Sequence, residues 1–260
     1  MSKSIFPKYT INSIARAVNI LELFSHDRPI LGISEIAREL SLQKSAVYRI
    51  VQTLVQSGIL EKQDRKYKLG FKLYKLGILA QNESELIECS LPHLEKLTSE
   101  TGETSNLVVL EGSKAMYVAQ KTSDRLIRMF TKIGAKVPPH CCGAGKILLS
   151  DMSDDEVEEV IDQNGLAAYT QNTISDKQLL FQELEKVRVN GYAVDNEERE
   201  QGVLCIAAPI KNASGRVIAS ISLSWPKFRF SQEITDELIL LVKNEGNEIS
   251  IKMGYKSGIK

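Results

Sequence analysis

The stretch ISEIARELSLQKSAVYRIVQTLVQSGILEK, residues 33–62, decides the N-terminal part of the fold. Apolar residues recur at helical spacing over 35–40, and Ser34 is predicted to be the N-cap of this short helix. After a tight connection at 41–43, a second helical pattern runs over 44–57. Two short helices joined by so short a turn predict a helix-turn-helix, whose second helix points outward.

The second helix has a polar face opposite its apolar stripe of Val47, Val51 and Leu54. Arg and Gln side chains make bidentate contacts with base edges, whereas Ser, Lys and Tyr suit phosphates and thymine methyl groups. This face is therefore predicted to enter the major groove of DNA, the alternative being an ordinary solvated helix face. The residues predicted to contact DNA from this unit are Ser34, Gln43, Lys44, Ser45, Tyr48, Arg49 and Gln52.

A β-hairpin is predicted directly after the second helix. Residues 59–61 and 67–70 alternate in polarity on either side of a charged turn at 62–66. A small hairpin in this place is a wing, and Arg65 and Lys66 at its tip are predicted to reach phosphate or the minor groove. A solvated hairpin turn is the alternative for either residue.

The charge of the chain is divided unevenly, although 33 Lys and Arg balance 33 Asp and Glu over its 260 residues. Residues 1–72 contain 12 Lys and Arg against 6 Asp and Glu, so this part carries +6 and the remainder carries −6. A basic module favours a polyanionic partner, although such an excess is also found on solvated faces.

The composition is that of a globular protein, with 43% hydrophobic and 25% charged residues. No run approaches the roughly 18 uninterrupted apolar residues of a membrane-spanning helix, and no apolar run of a signal peptide follows residues 1–8. A cytoplasmic protein is therefore expected. Its four cysteines form no C-x-x-C pair and are expected to be reduced thiols.

The chain is predicted to have three parts, with boundaries at 1–72, 73–102 and 103–260. The middle part has helical patterns over 73–87 and 92–99, and Pro92 either starts a new helix or kinks a continuous one. Such a segment after a wing is predicted to pair with its copy in a second subunit, and packing within the chain is the alternative.

The third part changes to strands with helices between and after them. This order predicts an α+β domain built on an antiparallel sheet with helices on its flanks. Strands are predicted at 106–110, 115–121, 125–131, 203–210 and 217–225, and helices at 143–149, 153–161, 176–189 and 232–251.

A ligand site is predicted in this third part. Gly143 and Ala144 open a helix whose free N–H groups and positive dipole end can hold a carboxylate, although the glycines also suit a tight turn. Asp195 ends a predicted strand, Cys205 lies in a strand that is otherwise apolar, and Ser222 and Ser224 share one strand face. Inward polar groups either bond each other or receive a ligand.

Three segments together resemble the IclR family of bacterial regulators. They are the run at 33–62, PPHCCGAGKILLS at 138–150 and GYAVDNEEREQGVLCIAAPI at 191–210, in the same order along nearly the whole chain. The resemblance implies a winged helix-turn-helix and a GAF-like effector domain that binds a small organic acid. It also implies a homodimer, or a dimer of dimers (homotetramer), and an operator that is an inverted repeat.

The resemblance also assigns an effector pocket. The backbone amides and serine hydroxyls would hold the carboxylate, and Asp195 would accept from a hydroxyl of the ligand. Met129 or Ile133 is expected in the apolar wall. The positions that match the family's pocket are Gly143, Ala144, Asp195, Cys205, Ser222 and Ser224.

Two other classes of protein compete with a transcriptional repressor. An enzyme could use His140, Cys141 or Cys142, and Asp195 as a nucleophilic system, but no leaving-group arrangement accompanies them. A metal sensor could combine His140, one of these cysteines, Cys205 and Asp195, but their spacing is that of no known closed zinc site. A regulator without catalytic activity, metal or cofactor is therefore predicted.

Overall fold

The computed structural model describes residues 11–25, 27–82, 85–129, 131–229 and 232–256. The chain divides into two compact units, residues 1–83 and 84–260. The first unit contains, in chain order, α1 (Asn12–Glu22), β1 (Ile30–Leu31), α2 (Ile33–Glu39), α3 (Lys44–Gln56), β2 (Leu60–Gln63), β3 (Lys66–Leu69) and α4 (Phe71–Asn82).

The first unit has its own core, built from the apolar stripes of its helices. Ile20 of α1, Ile36 of α2 and Val47 of α3 are fully buried, and Leu60 and Tyr67 close the core from the hairpin side. Strand β3 lies between β1 and β2 in an antiparallel sheet. The predicted helix-turn-helix and wing are confirmed, and β1 is added to them. A strand of two residues is too short to show an alternating pattern in a sequence.

The predicted N-cap of α2 is wrong. The helix begins at Ile33, the capping position is the extended residue Gly32, and Ser34 lies inside the first turn. Glu35 reaches back, and its Oε2 accepts a hydrogen bond from Gly32 N at 2.5 Å. The carboxylate thus satisfies a donor ahead of the helix start, and the helix begins two residues earlier than an N-cap at Ser34 would place it.

The second unit contains a six-stranded antiparallel sheet, in the order β6-β5-β4-β9-β8-β7. Its strands are β4 (Thr104–Glu111), β5 (Lys114–Lys121), β6 (Lys136–Val137), β7 (Ala193–Asn196), β8 (Val203–Lys211) and β9 (Val217–Pro226). Its helices are α5 (Glu85–Thr101), α6 (Gly143–Ser150), α7 (Asp154–Asn164), α8 (Lys177–Asn190) and α9 (Gln232–Lys252).

Helices cover both faces of this sheet. Leu97 of α5 and Val242 of α9 pack with Ile206 and Ile221 on one face, whereas Ile147 of α6 packs on the other. Successive residues of a strand point to opposite faces, so each central strand contributes to both clusters. The predicted α+β fold with an antiparallel sheet is confirmed.

Of the two alternatives predicted for Pro92, the structure contains the continuous helix, α5 of the second unit. Pro92 neither starts a helix nor ends one, because α5 runs without interruption over Glu85–Thr101. Proline removes one helical hydrogen bond, but Leu94 and Leu97 are fully buried and hold the helix against the sheet. The pairing of residues 73–102 with a second subunit stays a prediction.

The predicted strand at 125–131 is also wrong. Residues 125–129 are irregular, and β6 forms an edge of the sheet instead. Leu126 is 98% exposed, so the apolar residues of this alternating pattern do not form a buried strand face. Ion pairs hold the segment, because fully buried Glu103 binds both Arg125 and Arg229.

Candidate functional site

The first candidate surface is the exposed side of α3, called here the recognition helix. The turn before it is fixed by Ser41, whose φ of 54° reverses the chain, and by a 2.9 Å bond from Leu42 N to Ala37 O. Because Val47 and Val51 are buried, the opposite side faces solvent. The predicted DNA-contacting residues that are exposed on this side are Gln43, Lys44, Ser45, Tyr48 and Arg49.

Gln52 differs from its neighbours on this face. It is half-buried, and its Nε2 donates a 3.1 Å hydrogen bond to the hydroxyl of Tyr67 on β3. In this arrangement the amide joins the recognition helix to the hairpin. Ser34 is exposed on α2, outside the recognition helix.

The tip of the hairpin consists of Asp64 and Arg65, which connect β2 to β3. Arg65 is exposed. Lys66 is exposed too, but its ammonium lies 3.6 Å from Glu35 on α2. The bond from Gly32 N, followed by the charge of Lys66, lowers the pKa of Glu35, which keeps this carboxylate ionised. Lys66 therefore ties the wing to α2, while Arg65 extends from it.

The second candidate site is a cavity of about 170 Å³ in the second unit, called here the effector cavity. Its lining extends across the sheet from β6 to β7, and it also includes residues from the start of α6 and from the segment after β5. The residues that line it are Tyr117, Met129, Thr131, Val137, Cys142, Ala144, Asp195, Arg199, Glu200, Val203, Cys205, Ser222 and Ser224.

Strand register brings the predicted polar residues together. Asp195 of β7 pairs with Cys205 of β8, and Cys205 pairs with Ser224 of β9, so the three lie in one row across the sheet. Side chains in such directly opposed positions lie about 4.5–5.5 Å apart at Cβ. Ser222 lies in the next row, where Asn106 Nδ2 approaches its hydroxyl at 3.5 Å. The row gives the cavity a polar floor.

Asp195 is 4% exposed, and its Oδ1 accepts a 2.7 Å hydrogen bond from Glu198 N. Burial raises the pKa of this carboxyl to about 7, because the ionised form loses its hydration. The backbone donor at Glu198 opposes that shift. Near neutral pH the group is therefore divided between its protonated and ionised forms, and it can donate to a bound carboxylate or accept from a hydroxyl.

The two residues predicted at the start of α6 have different surroundings. Ala144 lines the cavity, whereas Gly143 is packed against β7 and β8 and is absent from the lining. Gly145 is the third residue of this helix. Only glycine fits there, because a Cβ would lie 2.3 Å from Pro139 O. The N–H groups of a helix's first turn have no partner within the helix, and such a helix start is able to hold an anion.

Sequence reasoning missed several residues at this site. Arg199 lies at the mouth of the cavity, with its guanidinium carbon 3.9 Å from the ring centre of Tyr169, and Tyr117 lines the inside. Of the two residues expected in the apolar wall, Met129 lines the cavity, whereas Ile133 is 60% exposed outside it. Arg199 lies within the quoted motif at 191–210, where a basic residue in an otherwise acidic run was the available signal.

The thiols near the cavity are poor nucleophiles. Burial raises the pKa of Cys141 and of Cys205 to about 12, and raises that of Cys142 well above its usual range. His140 Nε2 bonds Ala167 O at 3.1 Å, and burial lowers its pKa. A thiolate attack needs an ionised sulfur and a free base, so these groups do not support the enzyme alternative.

No three His, Cys, Asp or Glu side chains among the residues that the structure describes are grouped closely enough to hold a metal ion. No helix in this part of the chain combines the length and apolarity needed to cross a membrane.

Both units match models of known families. Residues 13–64 match the IclR helix-turn-helix domain, and residues 79–251 match the C-terminal domain of bacterial IclR transcriptional regulators. The chain is 34% identical over 248 residues to the HTH-type transcriptional regulator KdgR of Escherichia coli K12, covering 95% of this chain and 94% of that protein. It is 29% identical to the HTH-type transcriptional repressor AllR of Salmonella typhi, covering 94% and 90% of the two chains.

A solved structure is similar over nearly the whole chain. An IclR homolog from Microbacterium hydrocarbonoxydans, crystallised in complex with 4-hydroxybenzoate, superposes with a TM-score of 0.82 at 26% identity. The match covers 93% of this chain and 98% of that one. The family and its relatives are regulators and not enzymes. The family models, the relatives and the two-unit fold agree, and the chain belongs to the IclR family of bacterial transcriptional regulators, which carry a DNA-binding helix-turn-helix.

Proposed function

We propose that this protein is a repressor that binds a specific operator through the recognition helix and changes its affinity when a small organic acid occupies the effector cavity. The observation that carries the proposal is the polar row of Asp195, Cys205 and Ser224 on the floor of the effector cavity. Ser222 and Ser224 hydrogen-bond the Cys205 thiol, and Glu198 N donates to Asp195, so the row is held in place while its hydroxyl and carboxyl oxygens keep capacity for a ligand.

The DNA side of the proposal rests on the exposed face of α3. Lys44, Tyr48 and Arg49 are exposed next to each other, in the unit that carries the basic excess. Arg49 would read a guanine edge, and Lys44 and Tyr48 would contact the backbone. Ser34, Gln43, Ser45 and Gln52 complete the proposed contact surface, with Arg65 and Lys66 of the wing beside it.

The chemistry of the cavity supports an acid as the ligand. The first-turn N–H groups of α6 and the hydroxyls of Ser222 and Ser224 are donors, and Arg199 adds a positive charge at the mouth. The protonated form of Asp195 is a further donor. At about 170 Å³ the space is smaller than the roughly 300–1,000 Å³ of sites for drug-sized ligands, so a small acid is expected.

The relatives support the same class of ligand and the repressor role. One solved homolog holds 4-hydroxybenzoate, a small carboxylic acid, and another relative bears the name of a repressor. A homodimer, or a dimer of dimers, would place two recognition helices on an inverted repeat, because two-fold protein symmetry matches two-fold DNA. The protein would act in the cytoplasm, where a bacterial operator is found.

The test combines operator binding with a panel of named acids. Genomic fragments that the full-length protein selects would be footprinted, and its affinity for the footprinted site measured by fluorescence anisotropy. Glyoxylate, pyruvate, gluconate and 4-hydroxybenzoate are the probes, and a binding acid should raise the melting temperature because it favours the folded state. We expect such an acid to weaken operator binding by about tenfold or more, which corresponds to a coupling of about 1.4 kcal/mol.

The matched variant is Asp195→Asn, which keeps the size of the side chain and removes its charge. It should bind the operator like the wild type and respond less to the acid. An acid that stabilises the second unit but leaves operator affinity unchanged would contradict the proposal.

A further inference from the structure

Lys146 on α6 has no solvent exposure. It lies next to the effector cavity but does not line it. Its ammonium donates to Val194 O at 2.6 Å and to Glu198 Oε1 at 2.7 Å, and reaches Glu183 Oε1 at 3.3 Å. Burial acts to lower the pKa of Lys146, but the two carboxylates outweigh it and the pKa is raised. The ammonium therefore stays charged inside the protein.

The acceptors of Lys146 lie on both sides of Asp195. Val194 precedes it on β7, and Glu198 follows it in the irregular segment 197–202, called here the cavity turn. Glu198 N donates to Asp195 Oδ1, so the residue held by Lys146 in turn holds the cavity carboxyl. Strand β7 is the last strand of its sheet, and Lys146 supplies a partner for one of its backbone carbonyls.

The cavity turn needs such a tie. Glu197 has a φ of 60°, a left-handed conformation that costs free energy for a residue other than glycine and persists only where its surroundings impose it. On the outer side, Thr170 donates to Glu197 O and Thr173 donates to Glu198 O, both at 2.6 Å. On the inner side the tie is Lys146.

The buried pair is poorly suited to a purely stabilising role. Desolvation of two charges offsets most of their attraction, and apolar side chains of the same volume are often as stable or more stable. In addition, Glu198 Oε2 is buried without a hydrogen-bond partner among the described residues, which is a cost that a simple structural ion pair would avoid.

We propose that Lys146 is a positioning residue, which through Glu198 holds the cavity turn and directs Asp195 and Arg199 at the effector cavity. The purpose of this positioning rests on the proposed function. The positioning itself does not, because it is a property of the protein without ligand. Lys146 and Glu198 then serve the geometry of the cavity more than the stability of the fold.

The test is hydrogen exchange of the full-length protein without ligand, followed by mass spectrometry of peptides that cover 194–203. The first variant is Lys146→Met, which keeps the length of the side chain. The second is the double change Lys146→Met with Glu198→Leu, which leaves no unpaired buried charge and covers the case in which the single change does not fold. We expect exchange over 196–198 to become about tenfold faster in a folded variant, while β4 keeps its rate.

The matched control is Lys186→Met, because Lys186 also pairs with Glu183, at 3.6 Å, but is 70% exposed and does not contact the turn. It should exchange like the wild type. Unchanged exchange over 196–198 in a folded variant would overturn the proposal. So would a double variant that loses its cooperative unfolding, because the pair would then be needed for the fold as a whole.

The two proposals fail separately. If exchange in the turn rises but no acid in the panel alters operator binding, the positioning holds and the effector role fails. If an acid controls operator binding equally in the wild type and in the double variant, and exchange in the turn is unchanged, only the positioning fails.

Discussion

Gln52 Nε2 donates a 3.1 Å hydrogen bond to the hydroxyl of Tyr67, which joins the recognition helix to the wing. Tyr67 is 4% exposed, so its ring belongs to the core while its hydroxyl meets the amide at the surface. The bond fixes the angle between the two elements that are proposed to touch DNA. The Gln52 amide nitrogen can contact a base only if it gives up its hydrogen bond to Tyr67 and forms one to the DNA.

Tyr67→Phe removes this bond and keeps the ring. We expect the free energy of unfolding to fall by about 0.5–1.5 kcal/mol, the usual net contribution of one hydrogen bond. Urea unfolding of the wild type and the variant measures it. Operator affinity should change less than in Arg49→Ala. A loss as large as in Arg49→Ala would show that the angle of the wing governs recognition.

Arg49→Ala should weaken binding to the operator by about 1–3 kcal/mol per half-site, with little change on nonspecific DNA, because a bidentate contact to a base edge is lost. Fluorescence anisotropy on the footprinted site and on a scrambled duplex gives both values. Arg49→Lys is the matched variant, since it keeps the charge and loses the planar fork. If Arg49→Lys binds like the wild type, Arg49 contacts only phosphate.

Ser222→Ala combined with Ser224→Ala should abolish the response of operator binding to an acid and leave the binding itself intact. Both hydroxyls line the cavity, and neither belongs to the DNA-binding unit. Ser220→Ala is the control, because Ser220 is buried on the same strand but bonds Ala208 O and lies outside the lining. A response that survives the double change would place the ligand elsewhere.

Asp195 should make the stability of the second unit depend on pH. Its pKa is about 7 in the folded protein against an ordinary value of 3.8, so the folded state holds the proton more tightly. The protonated carboxyl contributes fully to the free energy of unfolding below pH 3.8, and this contribution is lost as the pH rises toward 7. The slope can reach about 1.4 kcal/mol per pH unit in this window.

Urea unfolding at several values between pH 5 and 8 would measure this dependence. Asp195→Asn cannot ionise, so its stability should fall less steeply than that of the wild type over the same window. Parallel curves for the two proteins would show that Asp195 titrates alike in the folded and unfolded states.

Gly145→Ala and Gly143→Ala should behave differently although both lie in the first turn of α6. A Cβ at Gly145 would lie 2.3 Å from Pro139 O, which is backbone and cannot easily move, whereas a Cβ at Gly143 meets ordinary contacts at 3.4–3.5 Å. We expect Gly145→Ala to cost about 1–3 kcal/mol or more, as overpacking does. Calorimetric melting of both variants decides it, and equal melting temperatures would contradict this steric account.

Local pattern was sufficient for the elements whose signal lies within a few residues. The apolar spacing of α3, the charged turn of the hairpin and the alternation in β4 and β5 all predict what the structure contains. The strand predicted at 125–131 failed for a reason that lies outside its own residues. Residues 125–129 alternate like a strand, but a strand needs a neighbour, and there the ion pairs of Glu103 with Arg125 and Arg229 replace it.

Sequence pattern alone was enough to predict the helix-turn-helix, the basic unit and the α+β class of the second unit, because helical periodicity, strand periodicity and charge are local properties. The family resemblance singled out Asp195, Cys205 and Ser224, but their register in one row depends on pairing between strands far apart in the chain. The burial of Lys146 against Glu198, 52 positions later, depends on the same long-range packing. Only the tertiary structure decides such contacts, since no short window of sequence contains both partners.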